Sequence, residues 1–449
     1  VPVAYIDLMA KGGALNSTTD RGVPRGRPGE AARRVALEAL NRMEHGEFLA
    51  PTLNDLLARS GLAREDRALV TDLAYGAARR RILLDAALAP LLAKPERLPP
   101  AVREILRLGA YEILYRGTPA YAAVNAWVSL TKAEAKALSG LVNAVLRRVR
   151  PPATAGDPAV EASLPSWLYA SLVRGLGAAA AGAASAAMLE SEPLWLTAFS
   201  EDAEAQLTRE GATALPLQVS VHPGWPKSLR VRAPLSVDRL SAFELGLVQP
   251  QNPTSLAAAL LLGAGTGDRV LDLASGGGVK SAVLAALGAE VTSVELNPRH
   301  VAAARKNLAR LGLAAEHVIA DLTHPLDLEP APFVLLDAPC SGTGTLRGHP
   351  EIKLRLTPGD VTAAAARQGL MLESAAGVTA PGGMLQYAVC ALTAEEGPAV
   401  VADFLDRHPE FQAEGFALPL TTLAVGAGRF VLPLEGLDGF YLARLRRRA

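Results

Sequence analysis

Arg269-Val-Leu-Asp-Leu-Ala-Ser-Gly-Gly-Gly-Val-Lys280-Ser281 decides the fold of the C-terminal half. An apolar run leads into a glycine-rich turn and then a helix start, which reads as a buried strand followed by a loop with free N–H groups. Glycines there let the backbone approach a ligand closely. Fifteen residues beyond Lys280 the next strand ends in Glu295, placed to accept hydrogen bonds from ribose hydroxyls. A nucleoside cofactor is therefore expected. The loop has neither the three spaced glycines of a dinucleotide fingerprint nor the Gly-Lys ending of a nucleotide-phosphate loop, so S-adenosylmethionine is the cofactor that fits. Its contacts are expected from Ala274, Ser275, Gly276, Gly277, Gly278, Val279, Lys280, Glu295, Asp321, Asp337 and Pro339. Taken singly, Asp321 fits a turn cap equally well.

Outward from this stretch, apolar strands at 269–273, 290–294, 317–319, 333–336 and 384–389 alternate with helical patterns. Such alternation predicts a doubly wound, mainly parallel α/β sheet of Rossmann-like form from residue 246 to 449. The chain's two cysteines sit at the ends of the last two of these strands, in Asp337-Ala-Pro-Cys340-Ser-Gly and Leu385-Gln-Tyr-Ala-Val-Cys390. Free cysteine is often a small buried hydrophobe. The C-terminal ends of strands in an open α/β sheet, however, are where ligands and chemistry collect, which favours thiol chemistry.

Two cysteines cannot build a disulfide framework, and no Cys/His cluster has zinc-like spacing, so no metal site is expected and a reducing, cytoplasmic setting is. No apolar run reaches the roughly 18 residues of a membrane span, and the N-terminus lacks a secretory pattern. At 449 residues several domains are expected. Net charge is zero but unevenly placed: residues 21–150 hold 22 Lys+Arg against 13 Asp+Glu, whereas 151–449 hold 22 against 30. A basic domain joined to an acidic one suits an anionic partner such as nucleic acid, although an arginine-rich helical domain explains the same numbers.

Residues 1–28 carry no hydrophobic period and read as a disordered lead-in. From 29 to 150 apolar residues recur at helical spacing, as in Val35, Leu37, Leu40 and Met43, and proline and glycine divide the stretch into about five or six helices. A proline-rich linker opens the 151–245 segment, read as a small α/β connecting module with strands near 194–199, 217–221 and 229–231.

Several motifs resemble the Sun, or RsmB-type, ribosomal RNA cytosine-5 methyltransferases. They are Asp337-Ala-Pro-Cys-Ser-Gly-Thr-Gly344, His349-Pro-Glu-Ile-Lys353, Pro381-Gly-Gly-Met-Leu-Gln-Tyr387, Cys390 followed by Glu395-Glu396, and Asp438-Gly-Phe-Tyr441. The helical region is similar to the NusB-like RNA-binding domain of such enzymes, through Asp66-Arg67, Leu106-Arg-Leu-Gly-Ala-Tyr111 and Val142-Asn-Ala-Val-Leu-Arg147. The resemblance implies an all-α NusB-like front domain, a class I methyltransferase domain, and methylation of small-subunit (16S) ribosomal RNA by a monomer; the alternatives are the same chemistry on transfer RNA or large-subunit RNA, or a non-catalytic RNA-binding assembly factor. By the same resemblance Cys390 is the nucleophile that adds to C6 of cytosine, and Cys340 assists release of the methylated base. Asp337 and Lys280 would activate and orient, and Arg347, His349, Lys353 and Arg355 would hold RNA. The chain departs from the family at Gly277, where a proline is usual, at Gln251-Asn252, at Val389 and Ala391, at His300, and at 193–200, where Thr197 and Phe199 replace an Arg-x-Asn pattern.

Overall fold

The computed structural model describes residues 29–152, 156–219, 224, 226–233 and 237–449. The lead-in at 1–28 lies outside them. Seven α-helices form the first domain: α1 (Glu30–Glu44), α2 (Leu49–Arg59), α3 (Arg64–Arg79), α4 (Arg81–Leu88), α5 (Pro100–Leu114), α6 (Ala120–Glu134) and α7 (Ser139–Arg148). Sequence punctuation undercounts them because α3 and α4 break at Arg80, which is neither proline nor glycine. Trp127, Ile105, Leu40 and Leu73 are fully buried at the centre of the bundle. There, wholly buried Glu112 accepts hydrogen bonds from Arg33 Nε at 3.0 Å and Trp127 Nε1 at 2.8 Å. Removing one member of such a buried ion pair costs about 3–5 kcal/mol, so Glu112 fixes how α1, α5 and α6 meet.

A four-stranded antiparallel sheet follows, in the order β2 (Thr213–Leu217), β3 (Lys227–Arg232), β1 (Leu194–Ala198), β4 (Val248–Pro250). Its second strand lies earlier than the expected 217–221 because Pro216, which lacks a ladder donor, is accepted on the edge strand that β2 forms. The 151–245 stretch does not pack as one module. Helices Ser166–Leu176 and Ala178–Met188 place Leu168, Leu172, Leu176 and Met188 in the core of the large sheet, while β1–β4 keep a separate core of Leu196, Leu229, Val231 and Val248.

The large sheet has nine strands: β5 (Arg269–Leu273), β6 (Glu290–Val294), β7 (Glu316–Val318), β8 (Ala331–Asp337), β9 (Thr379–Val389), β10 (Phe411–Ala413), β11 (Thr422–Val425), β12 (Gly428–Val431) and β13 (Phe440–Arg447). Their order is β11-β12-β13-β9-β8-β5-β6-β7, with β10 paired to β13. The strands from β7 across to β9 run parallel; β13, β12, β11 and β10 are antiparallel. Val334, Leu335 and Leu336 are fully buried, as a parallel strand covered on both faces requires. The chain winds outward from β5 through β6 to β7 and then returns to β8 on the other side of β5. Ligands bind at this kind of reversal, beyond the strand ends. Among the described residues, no helix is long and apolar enough to cross a membrane.

Candidate active site

The loop after β5 is pinned from several sides. Ala274 adopts a left-handed φ of 57°, a conformation that costs energy for a residue with a Cβ and is held by its surroundings. Ser275 N donates to Val294 O at 3.1 Å, Gly276 N to Glu295 Oε2 at 2.9 Å, and Gly278 N to Ser275 O at 3.0 Å. Gly278, at φ 74°, lies so close to the helix Pro298–Arg310 that an added Cβ would stand 2.8 Å from Ala304 Cβ. Gly277 by contrast faces open space.

Under the loop, fully buried Asp272 accepts a hydrogen bond from Ser281 Oγ at 2.5 Å, and burial pushes its carboxyl up to about 7. Glu295, at the end of β6, also accepts from Asn297 N at 2.9 Å and lies 3.3 Å from His300 Nδ1. Asp321, beyond β7, accepts from Thr323 N at 2.9 Å, which holds its carboxyl below the usual range and matches the turn-cap reading at that position. The glycine turn beyond β5, with its open surface at Gly277, and the carboxylates of Glu295 beyond β6 and Asp321 beyond β7 suit an adenosyl ligand, with acids for hydroxyl and amino groups.

Lys280 and Asp337 form a buried ion pair between the first turn of helix Val279–Ala286 and the end of β8. Burial opposes both charges, yet Asp337 holds the Lys280 ammonium above its ordinary value and Lys280 holds the Asp337 carboxyl below its own. Lys280 Nζ also stands 5.7 Å from the ring centroid of Phe440 on β13, a cation–π contact the sequence did not suggest.

The thiols of Cys340 and Cys390 are 3.1 Å apart, both reduced, Cys390 buried and Cys340 partly so. Ala338 N donates to Ala388 O at 2.9 Å and Gly344 N to Cys390 O at 3.0 Å, stitching the two thiol-bearing loops together. Gly344 is needed here, because an added Cβ would fall 1.9 Å from Gly439 O. The hydrogen bond from Cys340 lowers the Cys390 thiol below its ordinary value, and the same bond raises Cys340. Such a pair titrates as a unit, with Cys390 ionising first.

The four residues expected to hold RNA lie elsewhere, or are engaged. Lys353 Nζ bonds the carbonyl of Arg79, the last residue of α3. Arg355 donates from Nη2 to Met43 O and from Nη1 to Gly46 O, both at 2.9 Å, at the end of α1. Arg347 is buried, its Nη2 donating to Pro433 O at 2.6 Å while its own carbonyl accepts from Arg79 Nε at 2.7 Å. His349 is partly buried, and burial pushes its imidazole down to about 4, so it is uncharged near neutral pH. Between them Glu351 accepts from Leu49 N at 3.1 Å, at the start of α2. An acid thus meets a helix N-terminus and two cations meet helix C-termini, the signs that unpaired end groups and helix dipoles favour. The segment joins the two domains, with Lys353 and Arg347 engaged there in protein contacts.

Two other departures have structural partners. Thr197 Oγ1 donates to Gln251 Oε1 at 2.8 Å inside the small sheet's base, and Asn252 caps helix Pro253–Leu261 through Thr254 N at 3.2 Å while accepting from Asp438 N at 3.0 Å. Sequence reasoning also missed Glu396. It was visible only as the second acid after Cys390, and its wholly buried carboxylate joins the two thiol loops.

Residues 259–446 match the family model described as 16S rRNA methyltransferase RsmB/F, and residues 30–151 match the NusB family. Ribosomal RNA small subunit methyltransferase B of Thermus thermophilus is 46% identical over 416 residues, covering 92% of this chain and 97% of that protein. This chain belongs to the RsmB/F methyltransferase family. The enzyme of the same name from Yersinia pestis bv. Antiqua is 30% identical over 429 residues, covering 93% of this chain and 98% of its own. The crystal structure of PH0851 shares the fold over 94% of this chain and 99% of its own, with TM-score 0.77 at 21% identity. The structure of NSun6 from Pyrococcus horikoshii with SFG covers 64% of this chain and 98% of its own, with TM-score 0.56 at 19% identity. The RsmB/F member described here is an S-adenosylmethionine-dependent RNA methyltransferase with a helical NusB-type front domain and a Rossmann-like catalytic sheet.

Proposed function

We propose that this enzyme methylates C5 of a cytosine in small-subunit ribosomal RNA through a covalent bond between Cys390 Sγ and C6. The carrying observation is the pair of reduced thiols 3.1 Å apart, beside a buried lysine–aspartate pair at the strand reversal. C5 of cytosine is a weak nucleophile toward a methyl sulfonium. Addition of the Cys390 thiolate to C6 pushes the ring electrons toward C5 and makes it enamine-like. S-adenosylmethionine, when bound, supplies the electrophilic methyl group. Asp337, kept ionised by Lys280, accepts hydrogen bonds from the cytosine edge and favours its N3-protonated, activated form.

Release requires the C5 proton to leave. Its electrons then re-form the C5–C6 double bond as the C6–S bond breaks and Cys390 departs as a thiolate. Cys340 is suited to assist at this stage. The largest cause raising its thiol is its bond to Cys390, and that cause disappears once Cys390 carries carbon. Cys340 therefore ionises more easily in the adduct than in the free enzyme, although burial and Glu396 still oppose its charge.

The glycine-loop backbone from Ala274 to Val279, with Glu295, Asp321 and Pro339, would hold the cofactor. The NusB-like domain, with 19 Lys+Arg against 13 Asp+Glu over 29–150, would supply phosphate contacts, making affinity salt-dependent. The test is transfer of labelled methyl groups from S-adenosylmethionine to unmodified small-subunit RNA, with the product located by bisulfite sequencing. One 5-methylcytosine, absent with Cys390→Ala, is the expected result. Transfer to another base, or equal transfer by Cys390→Ala, overturns the reading.

A further inference from the structure

Glu396 lies in the turn between Cys390 and helix Pro398–Arg407 and is wholly buried. Its Oε1 accepts from Ser341 N at 2.7 Å and from Gln368 Nε2 at 3.1 Å; its Oε2 accepts from Thr393 Oγ1 at 2.9 Å and from the Ser341 hydroxyl. Four donors fill the four acceptor positions of an ionised carboxylate. Ser341 adjoins Cys340, and Thr393 lies three residues after Cys390. Its backbone is fixed as well, because Tyr387 Oη donates to Glu396 O at 2.7 Å.

The two thiols depend on this carboxylate unequally. Cys390 continues directly from β9, whose ladder with β13 pairs Val389 with Tyr441, and its carbonyl accepts from Gly344 N. Cys340 lies in a loop beyond β8 with Ser341 as its next anchor, and Ser341 is held through Glu396. Before Cys340 the loop is also held by Ala338 N on Ala388 O and by Gln368 Nε2 on Pro339 O at 3.0 Å, so loss of the carboxylate loosens Cys340 from its Ser341 side and leaves Cys390 in place.

We propose that Glu396 is a positioning residue that sets the spacing of Cys340 from Cys390 and thereby governs release of the methylated base. The release half of this inference rests on the covalent mechanism proposed above; the spacing half does not. A glutamine is expected to be tolerated, with its amide nitrogen toward the Ser341 and Thr393 hydroxyls, which can rotate to accept, and its oxygen toward Ser341 N and Gln368 Nε2. Alanine leaves Ser341 N without an acceptor and Gln368 Nε2 with Pro339 O alone.

Two measurements test it. Phenylarsine oxide exchanges its oxygen for two neighbouring thiols, forming two As–S bonds and releasing water, so its affinity reports thiol spacing without RNA. We expect one equivalent bound by wild type and none by Cys340→Ala or Cys390→Ala. Binding should be at least tenfold weaker in Glu396→Ala and within threefold of wild type in Glu396→Gln, with S-adenosylmethionine affinity unchanged in both. In single turnovers with unmodified RNA, Glu396→Ala should form the adduct within about threefold of the wild-type rate and resolve it at least tenfold more slowly. Wild-type arsenical affinity in Glu396→Ala, or equal slowing of formation and resolution, overturns the proposal. If Glu396→Ala does not fold, Ser341→Ala, which removes one donor, should show a smaller shift in the same direction, and no shift overturns it. Failure of wild type to form any adduct condemns the covalent mechanism, while the arsenical titration still judges the spacing.

Discussion

The segment between Asp337 and Thr357 divides into two halves with similar side chains and opposite fates. In the first, Asp337 and Cys340 face the strand reversal and meet Lys280 and Cys390. In the second, Glu351, Lys353 and Arg355 are spent on helix ends of the front domain. What separates them is the neighbour each meets. Beyond β8 the backbone meets the ends of β5 and β9 at the strand reversal, whereas ten or so residues later it runs against the ends of α1, α2 and α3, whose unpaired groups take the nearest charge of suitable sign. A charged residue beside a catalytic motif is therefore weak support for a substrate contact.

The sharpest way to break the contrast is at the nucleophile. Cys390→Ala should lower single-turnover methyl transfer by about 10⁴-fold or more, as for other catalytic nucleophiles, with cofactor affinity retained. Retained transfer would place the chemistry elsewhere. Next comes Asp337→Asn, which leaves Lys280 buried without its counter-charge. Loss of about 3–5 kcal/mol is expected by denaturant melting, together with a rate fall of about 10²-fold or more.

A smaller effect distinguishes the second half. Lys353 is buried, and burial together with Arg79 and Arg80 lowers its ammonium to about 7. Its folded value thus lies below its unfolded one, so the folded state binds fewer protons and stability contributed through Lys353 rises with pH from about 7 to about 10. Lys353→Met should flatten that part of the stability–pH profile relative to wild type. It should also leave the salt slope of RNA affinity unchanged, where loss of a phosphate contact would reduce that slope by about one.

The thiol pair gives a pH test in the first half. Cys390 ionises below the ordinary thiol value because Cys340 donates to it, so its alkylation by iodoacetamide should rise with pH at a lower midpoint than a free cysteine shows. Cys340→Ala should move that midpoint upward. The smallest effect is expected at Gly277, which faces open space and has no left-handed φ. Gly277→Ala should raise stability by about 0.4–1 kcal/mol in denaturant melting, because the added Cβ meets nothing and the unfolded chain loses freedom.

Much of the catalytic sheet was legible from strand–helix alternation: 269–273 and 290–294 match β5 and β6 residue for residue, and Val334-Leu-Leu336 of β8 is the continuous apolar run of a parallel strand covered on both faces. The antiparallel strands β10 to β12 were not, being three or four residues long, nor was β13, whose polar Arg444 to Arg447 end pairs with β9 and β10. The thiols, Lys280 and Asp337 were legible from type and position. Glu396 and Phe440 were not, since their importance lies in contacts made across 55 residues to Ser341 and from β13 back to Lys280. The engagement of Lys353 with the front domain was hidden for the same reason, its partner being 274 residues away.

The three helix-end contacts made by Glu351, Lys353 and Arg355 also define what can be exchanged between relatives. A chimera cut at the proline-rich stretch near 151 would leave those three side chains facing helix ends they were not matched to. Grafting a foreign front domain would succeed only if residues 345–356 travelled with it, so the natural unit of recombination is discontinuous in the gene.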